Sequence, residues 1–223
     1  MGIYSHAEGH STNAVGIFSH AEGYNSFANG QYSHAEGVDT ISNGFWSHVE
    51  GQETNAYGLS SHAEGWRTFS SKSYSHAEGG NTTSKGFYSH AEGYYATSSG
   101  DYSHAEGQET NAYGLASHAE GLGTISSGSY SHVSGKYNTK GNVSASFIIG
   151  NGSSDTVRSD LALFNSQSIV FTQPIQLQPG SGSNSSNPAN SGSMTFELLT
   201  NSILLIKAMG YDGIIRSASL ALV

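Results

Sequence analysis

From the first residue to about Asn142 the chain alternates small and larger side chains, and the alternation resets every fourteen positions. The unit "SHAEG" shows it: Ser, Ala and Gly take turns with His and Glu. Ten histidines, His6, His20, His34, His48, His62, His76, His90, His104, His118 and His132, follow one another at steps of 14 with no insertion. Ser precedes each of them, Ala or Val follows, and Gly stands three places on. A second alternating run completes each unit. It has Thr at Thr12, Thr40, Thr54, Thr68, Thr82, Thr110 and Thr124, Ala or Ser two places later, and usually Gly two beyond that, as in Gly16 and Gly44. Period two marks a strand, because successive side chains point to opposite faces. Two short strands and two turns use up the fourteen residues. The pattern therefore predicts an all-β chain wound as a two-sided roll, a solenoid whose coils stack at a strand spacing of about 4.8 Å. The small constant residues are expected inside, and the glycines at the bends.

The two outward faces differ. On the Thr run they change from coil to coil, as in Asn13 and Val15, Ile41 and Asn43, or Asn111 and Tyr113, which is how a solvent face behaves. On the Ser run they barely change. Glu8, Glu22, Glu36, Glu50, Glu64, Glu78, Glu92, Glu106 and Glu120 follow nine of the ten histidines, and Ser134 closes the series. An aromatic usually stands two residues before His (Tyr4, Phe18, Tyr32, Trp46, Tyr74, Tyr88, Tyr102, Tyr130) and is expected on the same face. A face held constant while the opposite one varies is expected to meet something equally regular, and the simplest regular partner is another copy of the chain. His and Glu columns from neighbouring copies then alternate in sign, which satisfies groups that are costly to bury alone. These histidines and glutamates are the expected interface ladder. Phe27, Trp66, Phe69, Tyr94 and Tyr95 are aromatics expected to be exposed and are the candidate receptor contacts.

Composition sharpens this picture. Gly makes up 29 of 223 residues and only 11% are charged; the strict period argues against reading such a chain as disordered. A net charge of −9 disfavours nucleic acid or an anionic membrane as partner. With no cysteine, disulfides and thiolate metal sites are excluded. No apolar run is long enough to span a bilayer, so no membrane insertion is expected, and "MGIYSHAEG" lacks the basic and apolar regions of a signal peptide. Gly2 stands four residues before His6, where the last glycine of a preceding coil would fall, and this hints at truncation from a longer array.

The repeat fades near Lys136–Asn142, so residues 1–142 are expected to form the roll. Residues 143–177 carry the first dense apolar runs, "SASFIIGNG" and "LALFNSQSIVFTQPIQL", and are the expected cap or neck over the open strand edge. Residues 178–193, rich in Gly, Ser and Pro, read as a linker. Residues 194–223 read as three strands with Asp212-Gly213 as a hairpin turn, a small β tip.

The units resemble the head repeat of trimeric autotransporter adhesins, whose coils read S-x-A-x-G; here His and Glu take the apolar x positions. Arrays of "SHAEG" look more like those of bacteriophage tail-fibre and minor structural proteins. "FIIGNGSSDTVRSDL" (147–161) is similar to the segment that follows such arrays, and "ANSGSMTFELLTNSILLIKAMGYDGIIRSASLALV" to the small β end-domain of phage fibres. The resemblance implies a left-handed parallel β-roll, a homotrimer, a fibre of the virion tail or of a related injection machine, an extracellular setting, and recognition of a host-cell receptor, glycan or protein. A bacterial surface adhesin head is the alternative in the same mechanical class. From other classes, a His column beside carboxylates raises transition-metal binding. The uniformity of the pattern favours a structural ladder, so no metal or other cofactor is expected. Thr columns raise ice binding, but their face is expected inward. Ten equivalent sites leave no unique pocket for acid–base catalysis, so no enzyme is expected. Arg158, between Asp155 and Asp160, is expected to be a structural ion pair.

Overall fold

The computed structural model describes residues 2–143, 145–172, 194–200, 203–209 and 214–221. Every regular element among them is a strand. The repeat is a parallel β-solenoid. Ten five-residue strands, His6–His10 through His132–Lys136, stack in one sheet, and nine two-residue strands, Asn13–Ala14 through Ile125–Ser126, stack in a second. Register is uniform: His pairs with His, Ala with Ala and Glu with Glu, as in His90↔His104, Ala91↔Ala105 and Glu92↔Glu106.

The interior is as the alternation predicts. Ala21, Ala63, Ala91 and Ala119 of the long strands are fully buried, as are Thr40, Thr54, Thr68 and Thr110 opposite them. Hydroxyls tie the two sheets together. Where the short strand ends in Ser, its Oγ meets the Ser before the next His at 2.6 Å, in Ser42–Ser47, Ser70–Ser75, Ser84–Ser89, Ser98–Ser103 and Ser126–Ser131. So thin a core, with little more than methyl groups and hydroxyls inside, buries little apolar area per residue. The inter-coil backbone ladder must carry the stack.

The glycines of the Thr run open turns as expected, the carbonyls of Gly16, Gly44 and Gly100 accepting from the N–H groups of Ser19, Ser47 and Ser103, but most left-handed corners fall on residues that carry a Cβ. Each coil turns at two residues in the left-handed region. One lies two places before His (Tyr88 φ 55°, Tyr102 φ 58°) and the other five places after it (Asn81 φ 54°, Tyr95 φ 56°). For a residue with a Cβ this conformation costs roughly 1–2 kcal/mol. It is held here by an inter-coil hydrogen bond, as where the Tyr102 N–H donates to the Phe87 carbonyl at 2.8 Å. The strand glycines answer a different need. At Gly93 φ is +105°, and a Cβ there would lie 2.2 Å from the Gly107 carbonyl oxygen of the next coil. The column is glycine because adjacent backbones touch.

The solenoid does not end with the last "SHVSG". Ala145–Asn151 continues the long-strand sheet parallel to His132–Lys136, Asp160–Asn165 pairs antiparallel to it, and Ile169–Phe171 follows, giving 13 strands. Here the core becomes apolar, with Val133 and Ile148 buried against Leu163. The short-strand sheet ends differently. Asn138 stands in the Thr column, fully buried; its Oδ1 accepts from the Ile125 N–H at 2.7 Å and its Nδ2 donates to the Ile125 carbonyl at 2.9 Å. One side chain thus imitates the missing next rung and satisfies an edge that would otherwise be open. Arg158 fastens the same end, donating to the Gly123 and Asn138 carbonyls at 2.8 and 3.0 Å and pairing with Asp155 at 2.6 Å. Asp160 is not its partner; it accepts from the Thr139 N–H.

The chain divides into two compact units, residues 1–173 and 174–223. In the second, Met194–Thr200, Ile203–Met209 and Ile215–Ala221 form an antiparallel sheet in that order. The sequence 178–193 and the Asp212-Gly213 turn lie outside the described residues.

Candidate functional site

The in-register parallel sheet brings each histidine over the next. The imidazole rings form one column, with centroids 4.7 Å apart and planes within 2° for His76–His90 and His90–His104. It holds from His20 to His132, tilting at His104–His118, and runs on into Phe147 and Phe164 of the terminal strands. Beside it stands the glutamate column. His Nε2 lies 3.3 Å from the carboxylate within a coil at His62–Glu64, and 3.4 Å from that of the preceding coil at His104–Glu92 and His132–Glu120. The His side chains are about one-third exposed over most of the array, against 64% at His6. Eight Nε2 atoms, those of His20, His34, His48, His62, His76, His90, His104 and His118, are shielded from solvent without a well-aligned hydrogen bond.

Burial and crowding disfavour the charged form at five of these imidazoles. Desolvation first, then the neighbouring imidazoles, lower His34, His48, His90 and His118 below the ordinary histidine value, and push His76 down to about 4. The nearby carboxylates pull the other way and lose. The face is a stack of imidazole rings beside a row of glutamates. Past the carboxylates runs a groove of about 680 Å³, walled by Glu78, Glu92, Glu106 and Glu120 and floored by the strand glycines.

The aromatics before each His do not share this face. They sit at its border, on the left-handed corner, and stack among themselves. Tyr4–Phe18–Tyr32–Trp46 is one run, with centroids 5.0 to 5.9 Å apart, and Tyr74–Tyr88–Tyr102 another, broken by Ser60 and Ala116. All are exposed.

The five candidate receptor contacts fall into separate places. Trp66 and Tyr94, at the ends of long strands two coils apart, flank Gly80, and Tyr95 meets Tyr94 edge-on at 4.5 Å. Arg67 lies over the Trp66 ring and pairs with Glu53. Phe27 and Phe69 lie on the short strands and are half-buried, contrary to expectation; Tyr57 covers part of Phe69, with ring centroids 5.4 Å apart. Sequence reasoning missed the corner residues and Asn138. The sign of the corners was Asn25, Asp39 and Asn81, residue types that tolerate positive φ, recurring in one column. Neither a protein-family model nor a curated protein matches this chain.

Proposed function

We propose that this chain is a segment of a homotrimeric fibre, a left-handed β-roll belonging to a phage tail or related injection machine. Its invariant His/Glu face packs against neighbouring copies, and its variable faces meet a receptor on the host cell. The observation that carries the reading is the border of that face. An exposed stripe of stacked aromatics, interrupted at Ser60 and Ala116, runs beside the histidine and glutamate columns, which are half-buried from His62 to His132. Contiguous exposed apolar surface of this kind marks an interaction site, and its partner must repeat with the coil. A second copy of the chain is such a partner. Placed side by side about an axis, the columns of one copy meet those of the next coil by coil, so one His/Glu contact type is used nine times. The resemblance to fibre repeats supports the same reading, and the role is mechanical and recognitive rather than catalytic. Trp66, Tyr94 and Tyr95, grouped on a corner, are the receptor contacts this reading favours over Phe27 and Phe69.

Light scattering coupled to gel filtration tests the assembly. The expected mass is three times 23.4 kDa. A monodisperse monomer at micromolar concentration overturns it.

A further inference from the structure

We propose that the histidine column is also a binding site for a divalent transition metal of the zinc and nickel class, taking one ion in each of two places on the chain. Four sets of side chains bring two imidazole nitrogens and one carboxylate oxygen within 4.8 Å of one another: His62, Glu64 and His76; His76, Glu78 and His90; His104, Glu106 and His118; His118, Glu120 and His132. Two nitrogens and one oxygen suit a borderline cation rather than calcium or magnesium, which prefer all-oxygen shells. Three protein ligands leave the fourth position open, to water or to a group from another molecule.

The geometry is close to what a tetrahedral ion needs. With bonds of about 2.1 Å, ligand atoms stand roughly 3.4 Å apart. His62 Nε2 and Glu64 Oε2 are already at 3.3 Å, and His76 Nε2 and Glu78 Oε2 at 3.5 Å. The second imidazole, stacked one coil away at 4.7 Å, would have to rotate out of the stack for its nitrogen to complete the set. The independent observation is the state of the nitrogens. Nε2 of His62, His76, His90, His104 and His118 is shielded from water with no well-aligned hydrogen bond, and such an atom costs stability until something takes it. A metal takes two at once.

Stoichiometry follows from the sharing of ligands. His76 belongs to both sets of the first pair and His118 to both of the second. Each imidazole offers its Nε2 to one ion, and ions on successive coils would stand only about 4.8 Å apart. Each pair of sets therefore holds a single ion, giving two per chain. All ligands of a site come from one chain, so the inference stands apart from the trimer.

The test uses the full chain stripped with a chelator, titrated with zinc chloride and separately with nickel chloride by calorimetry. Metal content and molecular mass are then read after gel filtration. Two ions per chain are expected. His76→Ala and His118→Ala should each leave one and the double variant none, while His34→Ala, outside the four sets, keeps two. Should an alanine variant misfold, Glu64→Gln with Glu78→Gln keeps the side-chain volume and should weaken one of the two sites by about tenfold or more. No saturable binding, or binding indifferent to both His76 and His118, overturns the proposal. A monomer holding two ions removes the assembly reading and keeps this one; a trimer holding none does the reverse.

Discussion

The two sheets of the solenoid are built from the same coils and obey different rules. The long-strand sheet uses five residues per coil, the short-strand sheet two. Both fill the interior with small residues. Outward, the first repeats His and Glu, and the second shows Asn, Phe, Ile or Thr in no order. Their neighbours explain the difference. In an in-register parallel sheet each side chain packs against its own counterparts above and below. A stacked imidazole has an imidazole on both sides, so changing one disturbs two others. The short strands pair in the same parallel register, but their outward residues are of mixed kinds, so no single stack runs along them. Constancy in such a fold thus has a first cause inside the chain, in self-stacking, and a second in whatever meets the face.

The sharpest way to break the comparison is to attack what both sheets share, their close approach. Gly93→Ala places a Cβ 2.2 Å from the next coil's carbonyl at φ +105°, and the expected loss is about 3 kcal/mol or more. Ala91→Leu, in the fully buried interior, should overpack the roll and cost about 1–3 kcal/mol. Denaturant melts of both variants check this. A Gly93→Ala protein as stable as the parent would mean the coils do not touch where the structure says they do.

The ends of the two sheets give the next effect. The long-strand sheet is prolonged by more strands; the short-strand sheet stops on one amide. Asn138→Ala removes both hydrogen bonds to Ile125 and leaves a backbone N–H and C=O without partners. The expected cost is about 1–3 kcal/mol. Hydrogen exchange should show the Ile125 amide losing protection before that of Ile148, which lies in the prolonged sheet. Equal protection at both would show that the amide closes nothing.

Acid should separate the sheets chemically, since the imidazole stack lies on one of them. The folded-state values of His34, His48 and His76 lie below the unfolded value near 6.5. The unfolded chain therefore binds more protons than the folded one as pH falls, and stability rises with pH across that window. The stability contributed by neutral histidines is fully present above about 6.5 and is lost as pH falls toward about 4, the value at His76. Thermal melts in chelator from pH 7.5 to 4.5 should show a monotonic fall in Tm. A flat profile would mean the stack accepts protons without penalty.

Much of this was legible in the sequence, and for one reason. A period of fourteen fixes the coil, and a period of two inside it fixes which side chains face in, so Ser, Ala and Thr were placed correctly. What was not legible depends on backbone conformation. Positive φ is the habit of glycine; Gly100 and Gly114 do open turns, but the left-handed corners themselves fall on residues such as Tyr88, Tyr102 and Glu109. Stacking and inter-coil hydrogen bonds override the local preference, and nothing in a single unit announces that. The same corners put the aromatics at the border of the His face instead of on it. Alternation with buried residues implies that Phe27 and Phe69 are exposed, but both are half-buried, and Tyr57 covers part of Phe69.

The smallest expected effect sharpens the contrast most directly, by making one change on each sheet. Ser71 is an outward residue of the short-strand run, half-buried, with only a 3.4 Å contact from its hydroxyl to the Ser84 carbonyl. Lysine there can lay its methylenes along the surface and keep its charge in water, so Ser71→Lys should change stability by no more than about 0.5 kcal/mol. Glu92→Lys introduces the same side chain on the other sheet. It replaces a carboxylate 3.4 Å from His104 Nε2 with a cation beside stacked imidazoles and between Glu78 and Glu106. The new charge finds carboxylates above and below, so the isolated chain should tolerate it nearly as well. If the constant face is an assembly face, the penalty at Glu92 appears only in the oligomer, as a Tm that falls more steeply with dilution than that of Ser71→Lys. If both variants melt alike at every protein concentration, self-stacking within one chain is the whole reason the His and Glu columns are constant.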